Sequence, residues 1–166
     1  PAQRFSDEFI YSQYNDQQKI NEFISKVNII TYEFENIPFE TLNKINKSKP
    51  VLPKPSINRI IQHRLAEKDF INKLNIRTTQ YISIEEKSQI YTLQDLLPGL
   101  LKTTTLGYDG KGQHLVNSID DIKNLDIDFS NNYILEKLVK LKKEISIIIT
   151  RFSDKKYEIY EPIENV

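Results

Sequence analysis

The first third of the chain carries helix-type and strand-type patterns of apolar residues in turn. Residues 16–27, "DQQKINEFISKV", predict a helix because four apolar residues recur at helical spacing: Ile20, Phe23, Ile24 and Val27. Residues 28–34, "NIITYEF", are rich in β-branched and aromatic side chains and predict a strand. Pro38 suits the first turn of a short helix that ends at Ile45. The order helix, strand, helix is typical of an α/β layer with a mainly parallel sheet.

A proline-rich stretch ends this pattern. Three prolines interrupt regular structure there, Pro50, Pro53 and Pro55. We therefore predict a first domain over residues 1–55 and a second over residues 56–166. Ser56 is a good N-cap for one long helix, "SINRIIQHRLAEKDFINKLNI". The apolar residues of this helix cover one broad face: Ile57, Ile60, Ile61, Leu65, Phe70, Ile71 and Leu74.

The rest of the chain is strand-rich and predicts an antiparallel sheet. Short strands are expected at Gln80–Ile84, Leu100–Thr105, His114–Asn117, Tyr133–Leu138, Ile145–Arg151 and Tyr157–Glu161. A helix is expected over Ser118–Leu125, and "FSDKK" reads as a hairpin connection. The predicted fold class is an α/β part followed by an α+β part.

Composition narrows the class of protein. The 166 residues are 39% hydrophobic and 28% charged, enough to build a core. The formal net charge of zero argues against nucleic acid or an anionic membrane as partner, because both need an excess of Lys and Arg. The chain has no cysteine and no apolar run of the ~18–20 residues that span a bilayer. These features predict a soluble, cytoplasmic protein.

Both ends of the sequence are unusual. The chain contains no methionine, begins at Pro1 and ends on a strand-like apolar segment, "EIYEPIENV". A strand at the very end leaves backbone donors and acceptors without a neighbour. We therefore expect a fragment of a longer protein.

Glycine is concentrated in one place. Three of the four glycines, Gly107, Gly110 and Gly112, lie within "LGYDGKGQ" between two predicted strands. The spacing fits neither a P-loop nor the dinucleotide-binding GxGxxG pattern. Bare backbone at such a link could close over a phosphate chain, with Lys111 at its tip. An ordinary Asp-Gly hairpin turn explains the same residues equally well.

Two further features bear on this choice. Lys102 interrupts a strand with buried-looking neighbours, so it needs an anionic partner unless it extends from a sheet edge to solvent. "YILEKLV" is a strand that passes Glu136 into a connecting segment, which could offer backbone groups to an adenine and a carboxylate to its ribose. Taken alone, Glu136 and Glu144 are more often solvated surface charges. His63 and His114 are isolated and indicate no metal site.

Five segments together occur in the order and spacing of one enzyme family. They are "TYEFENIP" (Thr31–Pro38), "RLAEKDFINKLNI" (Arg64–Ile76), "LLKTTTLGYDGKGQ" (Leu100–Gln113), "YILEKLVKLKKEISIII" (Tyr133–Ile149) and "YEPIENV" (Tyr160–Val166). In these segments the chain resembles 5-(carboxyamino)imidazole ribonucleotide synthase, an ATP-grasp family also described as the ATPase subunit of phosphoribosylaminoimidazole carboxylase. The resemblance implies a partial Rossmann-like pre-ATP-grasp domain followed by the smaller ATP-grasp subdomain.

The resemblance also implies a reaction in purine biosynthesis. ATP and bicarbonate carboxylate the exocyclic amine of aminoimidazole ribonucleotide, with carboxyphosphate as the activated acid. The protein positions the groups, stabilises charge and excludes water. ATP and Mg²⁺ are the implied cofactors, and enzymes of this type are commonly homodimers.

Site residues follow from the same resemblance. It places Lys102 at the ATP phosphates and makes Arg64 a nucleotide-contacting arginine. The flap over the phosphates would comprise Gly107, Tyr108, Asp109, Gly110, Lys111, Gly112 and Gln113. Adenine would lie against Glu136, Lys137, Leu138 and Val139, and the ribose hydroxyls against Glu144. Glu33 and Glu35 would face the aminoimidazole ribonucleotide site. No catalytic residue is assigned.

The chain departs from the family in three places. No glycine-rich strand–turn resembling "GGGQLG" is present, and the acidic magnesium ligands are expected beyond "ENV", outside this chain. Thr104 stands where the family usually has an arginine, and threonine cannot make bidentate contacts to an anion. Without the magnesium ligands, we predict no turnover by these residues alone and at best weak nucleotide binding.

Two other hypotheses stay open at this point. The chain could belong to another ATP-grasp ligase, such as a biotin carboxylase, glycinamide ribonucleotide synthetase or formyltransferase relative. "TYEFENIP" argues against this, because it belongs to the substrate-facing domain. The chain could also be a non-catalytic remnant or a split-gene partner that completes another polypeptide.

Overall fold

The computed structural model describes residues 2–107, 112–128, 132–153 and 155–165. A 3₁₀ turn over Ala2–Phe5 precedes the first helix, α1, over Gln17–Lys26. The Asp16 carboxylate accepts a hydrogen bond from the Lys19 N–H at 3.1 Å and caps α1. The predicted first helix is thus present within one residue at each end.

A short parallel pair of strands forms the centre of the first part. Strand β1 covers Ile30–Thr31, helix α2 covers Phe39–Asn46 and strand β2 covers Val51–Leu52. β1 and β2 pair in parallel, with α2 as the crossover between them. The parallel layer is as predicted, but β1 has two residues where seven were expected. Strand β2 was not predicted, because it lies between Pro50 and Pro53, which were taken to exclude regular structure.

The core of this part is small. Its buried side chains are Ile30, Leu42, Ile45 and Val51, and the predicted apolar stripe of α1 packs against them: Ile20, Phe23, Ile24 and Val27. Burial of these apolar side chains is what holds α1 and α2 against so short a strand pair.

The predicted long helix is in fact two helices, α3 over Pro55–Ile61 and α4 over Arg64–Lys73. Pro55 occupies the first turn of α3, so Lys54, not Ser56, is the N-cap. The break falls at His63, whose backbone is extended and whose Nδ1 accepts from the Ala66 N–H at 3.4 Å, capping α4. The apolar spacing continues across the break, which is why periodicity alone did not reveal it.

A four-stranded antiparallel sheet forms the second part. Its strands are β3 (Tyr81–Ile84), β4 (Gly99–Thr103), β5 (Gln113–Val116) and β6 (Tyr133–Lys137). Their order is β3-β6-β4-β5, so β4 and β6 are interior strands. Two 3₁₀ turns, Lys87–Thr92 and Gln94–Leu96, connect β3 to β4. All four strands were predicted, each within two residues of the observed bounds.

One face of this sheet carries the main core. Helix α5 over Ile119–Asn124 covers it, and a reciprocal capping box between Ser118 and Asp121 starts that helix where the sequence placed it. The buried side chains are Ile84, Leu93, Leu101, Val116, Ile122, Tyr133 and Leu135. The opposite face carries Lys102 and Glu136 beside the buried Ile134, and Lys68 of α4 contacts it.

The last segment forms two small antiparallel sheets. Strands β7 (Glu144–Ser146) and β10 (Ile163–Asn165) pair with each other, and β8 (Ile149–Ser153) pairs with β9 (Lys156–Ile159). The single strand predicted over Ile145–Arg151 is therefore wrong, because it divides between two sheets. β8 ends at Ser153 and β9 begins at Lys156, both within "FSDKK", so the hairpin predicted there is confirmed. None of the helices in the described ranges is long and apolar enough to cross a bilayer.

The division into domains remains a prediction. α2 packs on α3 and α3 packs on α4, so helices connect the two parts without an extended linker. The boundary after residue 55 falls at the first turn of α3.

Candidate functional site

The glycine-rich link joins β4 to β5, as expected for a flap. Gly112 has φ of +68°, and a Cβ there would lie 2.7 Å from the Thr103 Oγ1. The Gly112 carbonyl accepts from the Thr103 N–H at 3.0 Å, which closes the base of the link. Four members of the predicted flap, Tyr108, Asp109, Gly110 and Lys111, lie outside the described residues.

Arg64 holds the other side of that base. Its guanidinium donates to the Thr103 carbonyl at 2.7 Å and to the Gly107 carbonyl at 3.0 Å. Its backbone N–H donates to the Thr104 carbonyl at 2.8 Å. A Cβ at position 107 would lie 2.7 Å from one guanidinium nitrogen, so only glycine permits this approach. The first residue of α4 is thereby bonded to the end of β4.

Lys102 lies on an interior strand and is paired with Glu136. Its Nζ donates to Glu136 Oε2 at 3.0 Å, and the two side chains are 17% and 9% exposed. Lys102 stands opposite Ile134 and Glu136 opposite Leu100, so Lys102 and Glu136 are diagonal neighbours on one face of the sheet. The need for an anionic partner is confirmed, and the alternative of a lysine extending from a sheet edge is wrong.

A second lysine, which sequence analysis missed, contacts the same carboxylate. Lys68 Nζ lies 3.4 Å from Glu136 Oε1 and 5.4 Å from the centre of the Tyr81 ring. Arg64 and Lys68 are four residues apart on α4 and share one face of that helix, a spacing that could have indicated the contact.

The segment after β6 keeps part of its backbone available. The Lys137 N–H donates to the Gln80 carbonyl, the Lys137 carbonyl accepts from the Thr79 hydroxyl, and the Leu138 N–H donates to the Pro98 carbonyl. Within the described residues, the Leu138 carbonyl and the Val139 N–H have no hydrogen-bond partner. A planar ligand with one donor and one acceptor edge could bind at that point.

A cavity of about 190 Å³ lies between the first part of the chain and the flap base. Its lining includes Glu35, Asn36, Gln62, Arg64, Glu67 and Gly107. Burial, then the nearby Glu35 charge, raises the pKa of Glu67 above its ordinary value. Of the two carboxylates predicted to face a substrate, Glu35 lies at this cavity. Glu33 is exposed and does not line it.

Glu144 lies apart from this cluster, whereas Thr104 lines the cavity. Glu144 is exposed on β7, in a different sheet, and its Oε1 accepts from the Asn165 Nδ2 at 3.1 Å. Thr104 is 4% exposed, and both its hydroxyl and its N–H donate to the Asn132 carbonyl at 3.1 Å. Thr104, where the family resemblance implies an arginine, is therefore a buried residue bonded to the backbone just before β6.

The arrangement suits a polyanion with a flat polar base. It combines the features that a nucleoside phosphate requires: three cationic side chains, a backbone link that a Cβ would obstruct, and unpaired backbone groups beside β6. Among the residues described, no three His, Asp or Glu side chains gather as a metal site would require.

Known proteins are similar to this chain in fold and in sequence. A family model described as the ATP-grasp domain matches residues 69–166, and one described as the ribonucleotide synthetase preATP-grasp domain matches residues 1–62. The N5-carboxyaminoimidazole ribonucleotide synthase of Brucella melitensis biotype 1 is 32% identical over 171 residues, which cover 100% of this chain and 47% of that protein. The corresponding synthase of Staphylococcus aureus strain COL is 30% identical over 99% of this chain and 45% of its own length.

A solved structure gives the same result. The N5-carboxyaminoimidazole synthetase of Staphylococcus aureus complexed with ADP superimposes with a TM-score of 0.90 at 29% identity, over 99% of this chain and 45% of that one. The chain thus spans less than half the length of the relatives it matches. It belongs to the ATP-grasp family, and it resembles the N5-carboxyaminoimidazole ribonucleotide synthases of that family along its whole length.

Proposed function

We propose that this chain supplies the nucleotide-binding part of an N5-carboxyaminoimidazole ribonucleotide synthase. The reaction is the carboxylation of aminoimidazole ribonucleotide by bicarbonate at the expense of ATP, in cytoplasmic purine biosynthesis. The observation that carries the proposal is the buried pair of Lys102 and Glu136 on interior strands at the base of a glycine-rich flap. The similarity of this whole chain to part of the named synthases supports the choice of reaction within the family.

Each part of the site has a role in this proposal. Lys102 and the flap residues bind the phosphates, because an ammonium and bare N–H groups are the donors that phosphate oxygens accept. The Leu138 carbonyl and the Val139 N–H bind the adenine edge. Glu144 binds the ribose hydroxyls if β7 lies against the bound nucleotide. Arg64 acts mainly on the protein, since its guanidinium already bonds the Thr103 and Gly107 carbonyls.

Magnesium ligands are proposed to lie outside this chain. Mg²⁺, when bound with ATP, would neutralise charge on the phosphates and orient them. The described residues offer no carboxylate cluster for it. Assembly as a homodimer is part of the same proposal.

In this proposal the first part of the chain determines which substrate binds. Glu35 lines a cavity beside the flap base, where its carboxylate could accept a hydrogen bond from the exocyclic amine of a ribonucleotide. Other ATP-grasp ligases share the flap and the adenine segment, so this cavity is what separates the proposal from them.

Calorimetric titration of the chain with ADP tests the nucleotide site. Lys102→Ala should weaken binding by about 2–4 kcal/mol, roughly 30-fold to 1,000-fold, the range for one preorganised donor. Lys73→Ala is the matched control, because Lys73 is exposed on the last turn of α4. Equal ADP affinity in the wild type and Lys102→Ala would remove Lys102 from the site.

Phosphate release tests the reaction. With ATP, bicarbonate and aminoimidazole ribonucleotide, this chain alone should release no more phosphate than Lys102→Ala does. Robust release dependent on all three substrates would show that the metal ligands lie within these residues.

A further inference from the structure

One carboxylate, Glu136, is shared by two lysines from different elements. Lys102 of β4 contacts its Oε2 and Lys68 of α4 contacts its Oε1, at 3.0 and 3.4 Å. The three side chains are 17% exposed or less. Two ammonium groups therefore share one carboxylate in a place with little water, and the Glu67 carboxylate lies close enough to interact with both Lys68 and Glu136.

Lys68 is held more firmly than a surface lysine. Its ammonium lies over the Tyr81 ring, and Tyr81 stands directly opposite Glu136 on the neighbouring strand. The Tyr81 hydroxyl in turn donates to Asp69 Oδ1 at 2.6 Å and accepts from Asn72 Nδ2 at 3.0 Å. Asp69 and Asn72 of α4 therefore hold the Tyr81 ring of β3, and that ring fixes the position of the Lys68 ammonium.

The two lysines differ in what lies beyond them. Lys102 is one residue before Thr103, which begins the flap base, whereas Lys68 is enclosed by Tyr81 and Glu136. An anion under the flap would therefore compete with Glu136 for Lys102 and not for Lys68. If Lys102 turned to that anion, Glu136 would lose its shorter contact while still buried, and an unpaired buried carboxylate is strongly unfavourable.

We propose that Lys68 is a positioning residue. It keeps the Glu136 carboxylate ionised and in place when the Lys102 ammonium turns from Glu136 to an anionic ligand. The identity of that ligand as a nucleotide rests on the proposed function, but the charge exchange itself does not. Lys68 touches no ligand in this proposal and acts through Glu136. The groups that face Glu136 are Lys68 and Glu67 from α4, Lys102 from β4 and Tyr81 from β3.

The first experiment needs no nucleotide. Lys102→Met imitates the departure of the Lys102 ammonium, and urea unfolding at neutral pH measures the cost of leaving the Glu136 carboxylate without a partner. In Lys102→Met the unfolding midpoint should fall only slightly, because Lys68 still contacts the carboxylate. In Lys68→Met/Lys102→Met it should fall by more than the sum of the two single variants, and this excess should disappear in a Glu136→Gln background. Additive effects of Lys68→Met and Lys102→Met would overturn the proposal.

The second experiment uses ADP binding by calorimetry. Lys68→Met should weaken binding at least about 10-fold and cause proton uptake on binding, seen as a dependence on the ionisation enthalpy of the buffer. Lys68→Arg, which keeps the charge, should bind within about 3-fold of the wild type, and so should the control Lys73→Met. In a Glu136→Gln background, Lys68→Met should have no further effect. Equal loss in both backgrounds would show that Lys68 only packs against Tyr81.

The two experiments separate the two proposals. If the wild-type chain binds no ADP while the unfolding midpoints of the lysine variants behave as expected, the nucleotide proposal fails and the charge exchange stands. If ADP binds and Lys68→Met changes neither affinity nor proton uptake, the role of Lys68 is refuted and the nucleotide site stands. Far-ultraviolet circular dichroism identifies any variant that does not fold. Lys68→Gln then replaces Lys68→Met, because it keeps a polar end beside Tyr81.

Discussion

Replacement of Gly107 by alanine tests how the flap base is held. The Gly107 carbonyl and the Thr103 carbonyl both accept from the Arg64 guanidinium, at 3.0 and 2.7 Å. An alanine Cβ would lie 2.7 Å from Nη2 and 2.9 Å from Cζ of Arg64. The guanidinium is the flexible end of a long side chain, so it should move and lose these two hydrogen bonds while the backbone keeps its path.

The expected cost follows from those two bonds. Hydrogen bonds to a charged donor contribute about 1.5–3 kcal/mol each when buried, but Arg64 is half-buried and water replaces part of the loss. We therefore expect a loss of about 1–3 kcal/mol in the free energy of unfolding. A gain of about 0.4–1 kcal/mol, from the smaller conformational freedom of alanine in the unfolded chain, offsets part of it.

Urea unfolding of four proteins isolates this contact: the wild type, Gly107→Ala, Arg64→Met and the double variant. In the Arg64→Met background the Cβ meets no guanidinium, so Gly107→Ala should be neutral or slightly stabilising. The interaction free energy should be about 1–3 kcal/mol. Additive effects of the two substitutions would refute the view that Gly107 exists to admit Arg64.

Two further predictions concern stability. Burial and Glu35 raise the pKa of Glu67 above 4.5, so the folded chain binds more protons than the unfolded chain between 4.5 and the folded pKa, and stability falls as pH rises through that range. Glu67→Gln should remove this fall in urea-unfolding curves recorded from acid to neutral pH; an unchanged pH dependence would contradict the assignment. Leu135→Ala, at a fully buried core position, should cost about 2–5 kcal/mol, measured by the same unfolding, and a loss below about 1 kcal/mol would show that the core around Leu135 collapses to fill the space.

Local signals predicted most of the elements. Asp16 and Ser118 mark helix starts through side chains that bond the first turn, and both helices begin there. The break between α3 and α4 depends on contacts across the chain. The Gln62 side chain donates to the Glu35 and Ile37 carbonyls, 27 and 25 residues away. No helix-propensity argument contains that information.

The candidate site was predicted only in part, because it too depends on contacts between residues far apart in the sequence. A semi-buried lysine requires a counter-ion, so an anionic partner for Lys102 was expected. The identity of that partner was not, because Glu136 is 34 residues further along the chain and reaches Lys102 only because β4 lies beside β6. Lys68 was missed because its role depends on where α4 crosses the sheet. Glu144 was assigned to the ribose from the family resemblance, and it lies on β7, in a separate pair of strands from Glu136, so its role stays a prediction.

The two-residue ladder between β1 and β2 has a consequence for local opening. Only two residue pairs join these strands, while the four-stranded sheet binds Leu101 and Leu135 between neighbours on both sides. Amide hydrogens of the first fifty or so residues should therefore exchange with deuterated solvent through partial unfolding, well before those of β4 and β6. The part of the chain that is proposed to recognise the substrate would then open more readily than the sheet that carries Lys102 and Glu136.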